Sequence, residues 1–348
     1  MTGQENLAMV AIIIVNWNGK EFLKKCFGSL DLQTRKDFKV IFVDNGSNDG
    51  SVAFVRKFYP STEIISLKMN TGFAKANNIG IKKAFESDAI KYIVTLNNDV
   101  EVDSSFLSEL IKSAQKNTEA AAIVPKMKFF FEKEKINSIG IGIHLDGGGF
   151  DRGIGEIDKG QYDKHEEVFG GCAGALLYRR EALESVKYQN EFFDEVFFAF
   201  YEDLDLSWRL RLAGWKTITC PKAVMYHVHT ATGKKNPAFK SFLMNRNRFF
   251  VIVKNFPFIF IIKAFFYTLL HYLTLFKGLR SKKGLSYELK QKTNIFAPFL
   301  IVFRGWIDNL RYLPIMIKKR QRIQKNKKVS NAIINKWFDD FSLDSKNN

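Results

Sequence analysis

Four short runs in the first hundred residues are almost wholly apolar, and each is followed by a cluster of small polar residues. They lie at 9–15, 39–43, 63–67 and 92–96. Their length and β-branched content predict buried strands. Amphipathic stretches at 21–30, 50–58, 74–85 and 106–115 show helical spacing. Continuous apolar strands alternating with helices predict a doubly wound, mostly parallel α/β sheet of Rossmann-like type. Residues 126–170 are charged and rich in glycine, without the spacing of a phosphate loop. They are expected to form mostly loop, with room for one hairpin.

Ligands of such sheets bind beyond the carboxyl ends of the strands, where the polar clusters fall. Asn16-Trp17-Asn18-Gly19 follows the first strand, and Asp44-Asn45-Gly46-Ser47 the second. Asn70-Thr71-Gly72 follows the third, with Asn77 shortly after, and Asn97-Asn98-Asp99 follows the fourth. One such cluster is ordinary turn chemistry. Four on one sheet edge predict a polar ligand crevice. An acid ending a strand, such as Asp44, accepts hydrogen bonds from a nucleobase or a ribose. Asp99 is a hard oxygen ligand suited to Mg²⁺ or Mn²⁺ held through a diphosphate.

Residues 193–206 combine Phe197, Phe198, Phe200 and Tyr201 with five carboxylates, among them Glu202, Asp203 and Asp205. Acids at a helix start complement its dipole. A partly desolvated one can also take a proton from an incoming hydroxyl. His227 and His229 stand two apart on a predicted strand and therefore face one way, with His227 preferred as a metal ligand.

Charge divides the chain in two. The whole carries 53 Lys+Arg against 36 Asp+Glu, a formal net charge of +17. Residues 1–233 are net −2 and residues 234–348 net +19. The basic part also holds apolar stretches at 256–276 and 295–317, followed by the run 318–328. Apolar helices interrupted by cations suit the plane of a membrane interface, and the basic run suits anionic headgroups. A packed helical appendage is the plainer reading, and a true span at 256–276 the less favoured one. No nucleic-acid reader motif accompanies the charge. Three scattered cysteines and the absence of a leader-like start fit a cytosolic setting. The expected organisation is a catalytic domain over 1–250 and a membrane-associating helical tail over 251–348.

Taken together, the blocks VNWNG (15–19), VDNGSNDGS (43–51), NTGFAKANNIG (70–80), LNNDV (96–100), GALLYRRE (174–181) and FDEVFFAFYEDLDLSWR (193–209) resemble the family 2 inverting glycosyltransferases of GT-A fold. Within that family the rhamnosyltransferase-like members are the most similar. The resemblance implies that Asp44 contacts the nucleobase and Asn97 the ribose, with Asn16, Asn45, Gly72, Asn77, Asn98 and Gly174 lining the donor site. It implies Asp99 and His227 as metal ligands and Asp203, beside Glu202, as general base. Arg246 and Arg248 are assigned either to substrate phosphate or to simple exposure. The implied reaction moves rhamnose or a similar hexose from a dTDP- or UDP-sugar to a hydroxyl of a lipid-linked or cell-envelope glycan, with inversion. It would occur at the cytoplasmic face of the membrane. Transfer to a polyprenyl phosphate and non-catalytic nucleotide-sugar binding are the alternatives. The QxxRW motif of processive members is absent, so one or a few additions are expected.

Overall fold

The computed structural model describes residues 9–228, 236–280 and 297–342. His229, and Ala231 and Thr232 beyond it, lie outside the described residues. The four predicted strands form as β1 (Met9–Asn16), β2 (Phe38–Asp44), β3 (Glu63–Ser66) and β4 (Ile90–Asn97). The helices after them are α1 (Lys20–Asp31), α2 (Ser51–Phe58), α3 (Phe73–Ala84) and, beyond the short β5 (Val100–Val102), α4 (Phe106–Lys116). Alternation along β1 shows why its sequence is apolar throughout. Val10, Ile12 and Ile14 enter the core on one face, with α1 and α4, while Ala11 and Ile13 enter the core on the other, with α3.

The sheet extends further than the parallel strands. Its order is β3-β2-β1-β4-β10-β6-β11-β5, with β10 (Ala175–Arg179) antiparallel to both β4 and β6 (Ala120–Phe129). The long β11 (Lys216–His227) runs parallel to β6 and carries β5 on its other side. The segment 126–170 is built rather than loose. It completes β6, adds β7 (Ile136–Ser138) to the sheet, and forms a hairpin of β8 (Ile141–Ile143) and β9 (Gly149–Asp151). Ile136, Ile141, Ile143, Val168 and Phe169 are all buried. Those isolated apolar positions anchor a segment whose glycines had suggested mostly loop.

After β10 come α5 (Arg180–Val186) and α6 (Glu202–Leu212). The basic part contributes α7 (Pro237–Asn255), α8 (Phe258–Arg280), α9 (Ala297–Lys325) and α10 (Asn331–Asp340). The expected division at residue 250 falls inside α7. Trp208 of α6 sits among Phe169, Phe256, Trp337 and Phe338, so these helices share a core with the sheet domain. The run 318–328 is also divided. Lys319 is buried and Arg320 donates to the Val253 and Phe256 carbonyls, while Lys318, Arg322, Lys325 and Lys328 face outward.

Among the described residues, two apolar faces are exposed. On α8, Phe258, Ile259, Ile262, Phe265, Phe266, Leu269, Leu270 and Leu273 form an exposed stripe, and on α9 so do Leu300, Phe303, Ile307 and Leu310. Among the described residues, no helix is long and apolar enough to cross a membrane.

Candidate active site

β1 lies between β2 and β4, where the strand order reverses, and this is the crevice that open α/β sheets use for ligands. Register decides which polar residues meet there. Asn16 pairs with Asp44, and Val15 with Asn97. Asn16 Nδ2 donates to Asp44 Oδ1 at 3.1 Å and to Ser47 Oγ at 3.1 Å, and its Oδ1 accepts from Asn98 Nδ2 at 2.6 Å. Asp44 Oδ2 accepts the Ser47 backbone N–H at 3.0 Å. Asn45 binds the third loop instead: its Oδ1 accepts the Thr71 backbone N–H, and its Nδ2 donates to Asn70 Oδ1 and the Gly72 carbonyl. Four loops distant in sequence are thereby locked into one floor.

The second half of the crevice forms where β4 ends. Asp99 Oδ1 lies 3.3 Å from His227 Nε2, and Asn97 Nδ2 lies 3.3 Å from the same nitrogen. The other ring nitrogen, Nδ1, is 2.9 Å from Asn137 Oδ1. An amide oxygen only accepts, so in the neutral ring Nδ1 carries the proton, and Nε2 accepts from Asn97 Nδ2 while standing beside the Asp99 carboxylate. Two acceptors at that separation are complementary to a cation. One carboxylate and one imidazole, completed by diphosphate oxygens and water, fit Mg²⁺ or Mn²⁺. Among the described residues, no three His, Cys, Asp or Glu side chains converge on one metal position.

Asp203, at the start of α6, is linked to the end of β4 through residues 173 and 174. Its Oδ2 accepts the Ala173 N–H at 3.2 Å and its Oδ1 the Leu204 N–H at 2.8 Å. The next residue, Gly174, accepts the Asn97 N–H through its carbonyl at 2.7 Å. A Cβ at Gly174 would stand 3.0 Å from Asn97 Nδ2, so an added methyl would push that amide by a few tenths of an ångström. Burial above all, with a smaller push from the Asp151 charge, outweighs the backbone N–H donors of Ala173 and Leu204 and raises the Asp203 carboxyl to about 6. Burial and then the Asp203 charge hold Glu202 well above the ordinary carboxylate range, and its Oε2 has no hydrogen-bond partner. Two adjacent acids thus differ in character. Glu202 is buried and favours its neutral form, whereas Asp203 is partly accessible and ionises near neutrality.

Several sequence-predicted residues have other duties. Asn77 is buried and donates to the Phe73 carbonyl one turn back in α3. Gly72, at φ 89°, abuts Phe198, whose carbonyl oxygen would be 2.5 Å from an added Cβ. Arg246 is neither exposed nor available to phosphate: its guanidinium donates to the Val196 and Phe197 carbonyls and pairs with Asp308. Arg248 pairs with Asp146. Asn137, Asn78 and Asp151 escaped the sequence reading. Asn78 fastens α3 to the Phe192, Phe193 and Glu195 backbone and side chain, and only its place in an otherwise small, apolar helix face hinted at this. Asp151 acts electrostatically on both Asp203 and His227. No local signal marked it, because the β8–β9 hairpin brings it there. A separate hollow at the far end of α6, lined by Tyr188, Lys319, Arg322 and Lys328, contains none of the predicted site residues.

Comparison with known proteins bears on this geometry. The model of the family described as glycosyl transferase family 2 matches residues 11–187, half of the chain. A Mycobacterium tuberculosis protein named N-acetylglucosaminyl-diphospho-decaprenol L-rhamnosyltransferase is 26% identical over 244 residues, covering 65% of this chain and 78% of the relative. A Haloferax volcanii low-salt glycan biosynthesis hexosyltransferase is 23% identical over 257 residues, covering 71% and 76%. Among solved structures, GalNAc-T7 with UDP, GalNAc and Mn²⁺ superposes with a TM-score of 0.56 at 14% identity. The match covers 72% of this chain but 48% of that one, a likeness of fold.

Proposed function

The chain belongs to glycosyl transferase family 2, and from that premise we propose that it moves a hexose, with rhamnose the first candidate, from a nucleotide-diphosphate donor to a hydroxyl acceptor. The observation that carries this reading is the juxtaposition at the β1–β4 reversal. There Asn16 and Asp44 face Asn97, Asp99 and His227, with Asp203 joined to them through residues 173–174. Asp44 and Asn16 hold the base and ribose of the donor, and Asn97 and Asn98 donate to its polar oxygens. Asp203, ionised above about pH 6, accepts the proton of the acceptor hydroxyl as that oxygen bonds to the anomeric carbon. The bond from that carbon to the nucleoside diphosphate breaks on the opposite side, inverting the centre. Asp99 and His227 would hold Mg²⁺ or Mn²⁺, which neutralises charge on the departing diphosphate. Glu202, kept neutral, limits the negative charge beside Asp203.

The acceptor is a lipid-linked glycan of the cell envelope, as the name of the mycobacterial relative suggests. The exposed apolar stripes of α8 and α9 and the outward cations of 318–328 suit the anionic cytoplasmic face of a membrane. The test is a panel of dTDP- and UDP-sugars with a polyprenyl-diphosphate-linked N-acetylglucosamine acceptor, in Mn²⁺ and then in chelator. Transfer from one donor, lost on chelation, is expected. Transfer that survives chelation removes the metal role of Asp99 and His227, and no turnover of any donor removes the enzymatic reading.

A further inference from the structure

The backbone just before Asp203 is held in an unfavourable form. Phe198 has φ 66° and ψ −63°, with the Ala199 N–H donating to the Phe197 carbonyl at 2.8 Å. This is the rare, strained γ-turn. Phe200 and Tyr201 follow at φ 66° and 68°, again left-handed without being glycine. Tyr201 directly precedes Glu202 and Asp203, the first residues of α6. Such conformations persist only where the surroundings over-determine them.

The surroundings here are specific. Arg246 Nη2 donates to the Val196 carbonyl at 2.9 Å and the Phe197 carbonyl at 3.0 Å. Asn247 Nδ2 lies 3.0, 2.9 and 2.7 Å from the carbonyls of Phe197, Ala199 and Phe200. The Phe198 carbonyl accepts from the Ala74 N–H at 3.1 Å. Five consecutive carbonyls are therefore satisfied, four of them by two side chains of α7. Asn247 is fully buried, and its Oδ1 accepts from Arg246 Nε at 3.0 Å, so each residue orients the other. Three carbonyls converging on one amide require its nitrogen there, which no apolar or acidic side chain supplies.

We propose that Asn247, oriented by Arg246, is a positioning residue that holds the strained turn 197–201 and thereby aims Asp203 at the acceptor hydroxyl. The inference rests on the reading of Asp203 as the base. Neither α7 side chain touches the donor floor at Asn16, Asp44 and Asn97, so the two functions are separable.

Steady-state kinetics on the full chain, with the donor returned by the panel and the same acceptor, tests this. Asn247→Ala lowers kcat by about 10²-fold, the scale of a misplaced reacting group, while the donor KM stays within about twofold. Asn247→Ser, which keeps one donor, falls between and serves if the alanine variant does not fold. Urea unfolding checks that each variant is native. In an Asp203→Asn background the Asn247 substitution produces little further loss, because both act through one group. A kcat close to the parent's, or a loss that multiplies on top of Asp203→Asn, overturns the inference. So does a donor KM that rises in step. A fully active Asp203→Asn protein, or a parent inactive with every donor, instead removes the base reading on which it stands.

Discussion

Asp203 is where the chemistry of a single residue is most exposed to test. With its carboxyl raised to about 6 by burial, the carboxylate form that the proposed base requires is lost as pH falls below that value. The rate is expected to drop about tenfold per pH unit on the acid side of pH 6, a limb absent in Asp203→Asn. That variant loses about 10²–10⁴-fold in kcat at pH 8, measured with the donor that the panel returns. The same shift has a stability consequence of opposite sign. A carboxyl whose folded value lies above its unfolded one disfavours folding once it ionises, with the full effect reached above about pH 6. Asp203→Asn is therefore expected to be more stable than the parent at pH 8, by about 1 kcal/mol once its weaker acceptance from Ala173 and Leu204 is discounted. In urea titrations the difference disappears near pH 4.

At the scale of elements, α7 joins the basic helices to the segment 194–205. Lys254 Nζ lies 2.5 Å from Asp194 Oδ2 and 2.8 Å from Asp205 Oδ1, all three nearly inaccessible to water. Lys319 of α9 pairs with Asp194 from the other side at 2.7 Å. Burial alone would raise the Asp194 carboxyl, but Lys254 and Lys319 outweigh it and hold it well below the usual range. Positions 246–247, 250–251 and 254–255 recur at four-residue spacing, so one buried face of α7 carries the polar anchors with Phe250 and Val251 packed between them. Lys254→Met leaves two buried carboxylates short of their shared partner and is expected to destabilise the chain by about 3 kcal/mol in urea unfolding. Because those carboxyls lie below their unfolded values, the parent's advantage persists above about pH 4 and fades as pH falls.

For the whole molecule, the asymmetry of charge and the uncovered apolar stripes lead to one experiment. Co-sedimentation with vesicles containing anionic lipid is expected to exceed that with neutral vesicles, and to weaken as salt rises, each exposed Lys or Arg near the surface contributing about 1 kcal/mol. Replacing Phe265, Phe266 and Leu269 by Ser is expected to reduce binding at every salt concentration, since apolar insertion is not screened. Equal binding to neutral and anionic vesicles would contradict the role given to Arg322, Lys325 and Lys328.

The strands β1–β4, the helices between them and the polar residues at their ends were legible in the sequence, because apolar periodicity and turn chemistry are local properties. Asn16, Asp44, Asn97 and Asp99 could be placed together at one sheet edge for that reason: each ends or closely follows a strand, and strand ends are readable. The ordering of 126–170 was not, since its buried isoleucines are spaced by contacts with β6, α6 and α10 rather than by any period of their own. Arg246 was misjudged because a cation on a helix reads alike whether it faces water or a row of carbonyls. Asp151, Asn137 and Asn247 carry no local mark at all. Sequence alone determined that this chain builds a mostly parallel α/β sheet with polar residues at one strand edge and a basic, apolar tail. Tertiary structure alone decided that the tail packs against α6 and the β8–β9 hairpin and satisfies the backbone carbonyls of the turn before Asp203. Those carbonyls cannot be left unpaired away from water, and their partners come from a helix some fifty residues further along the chain.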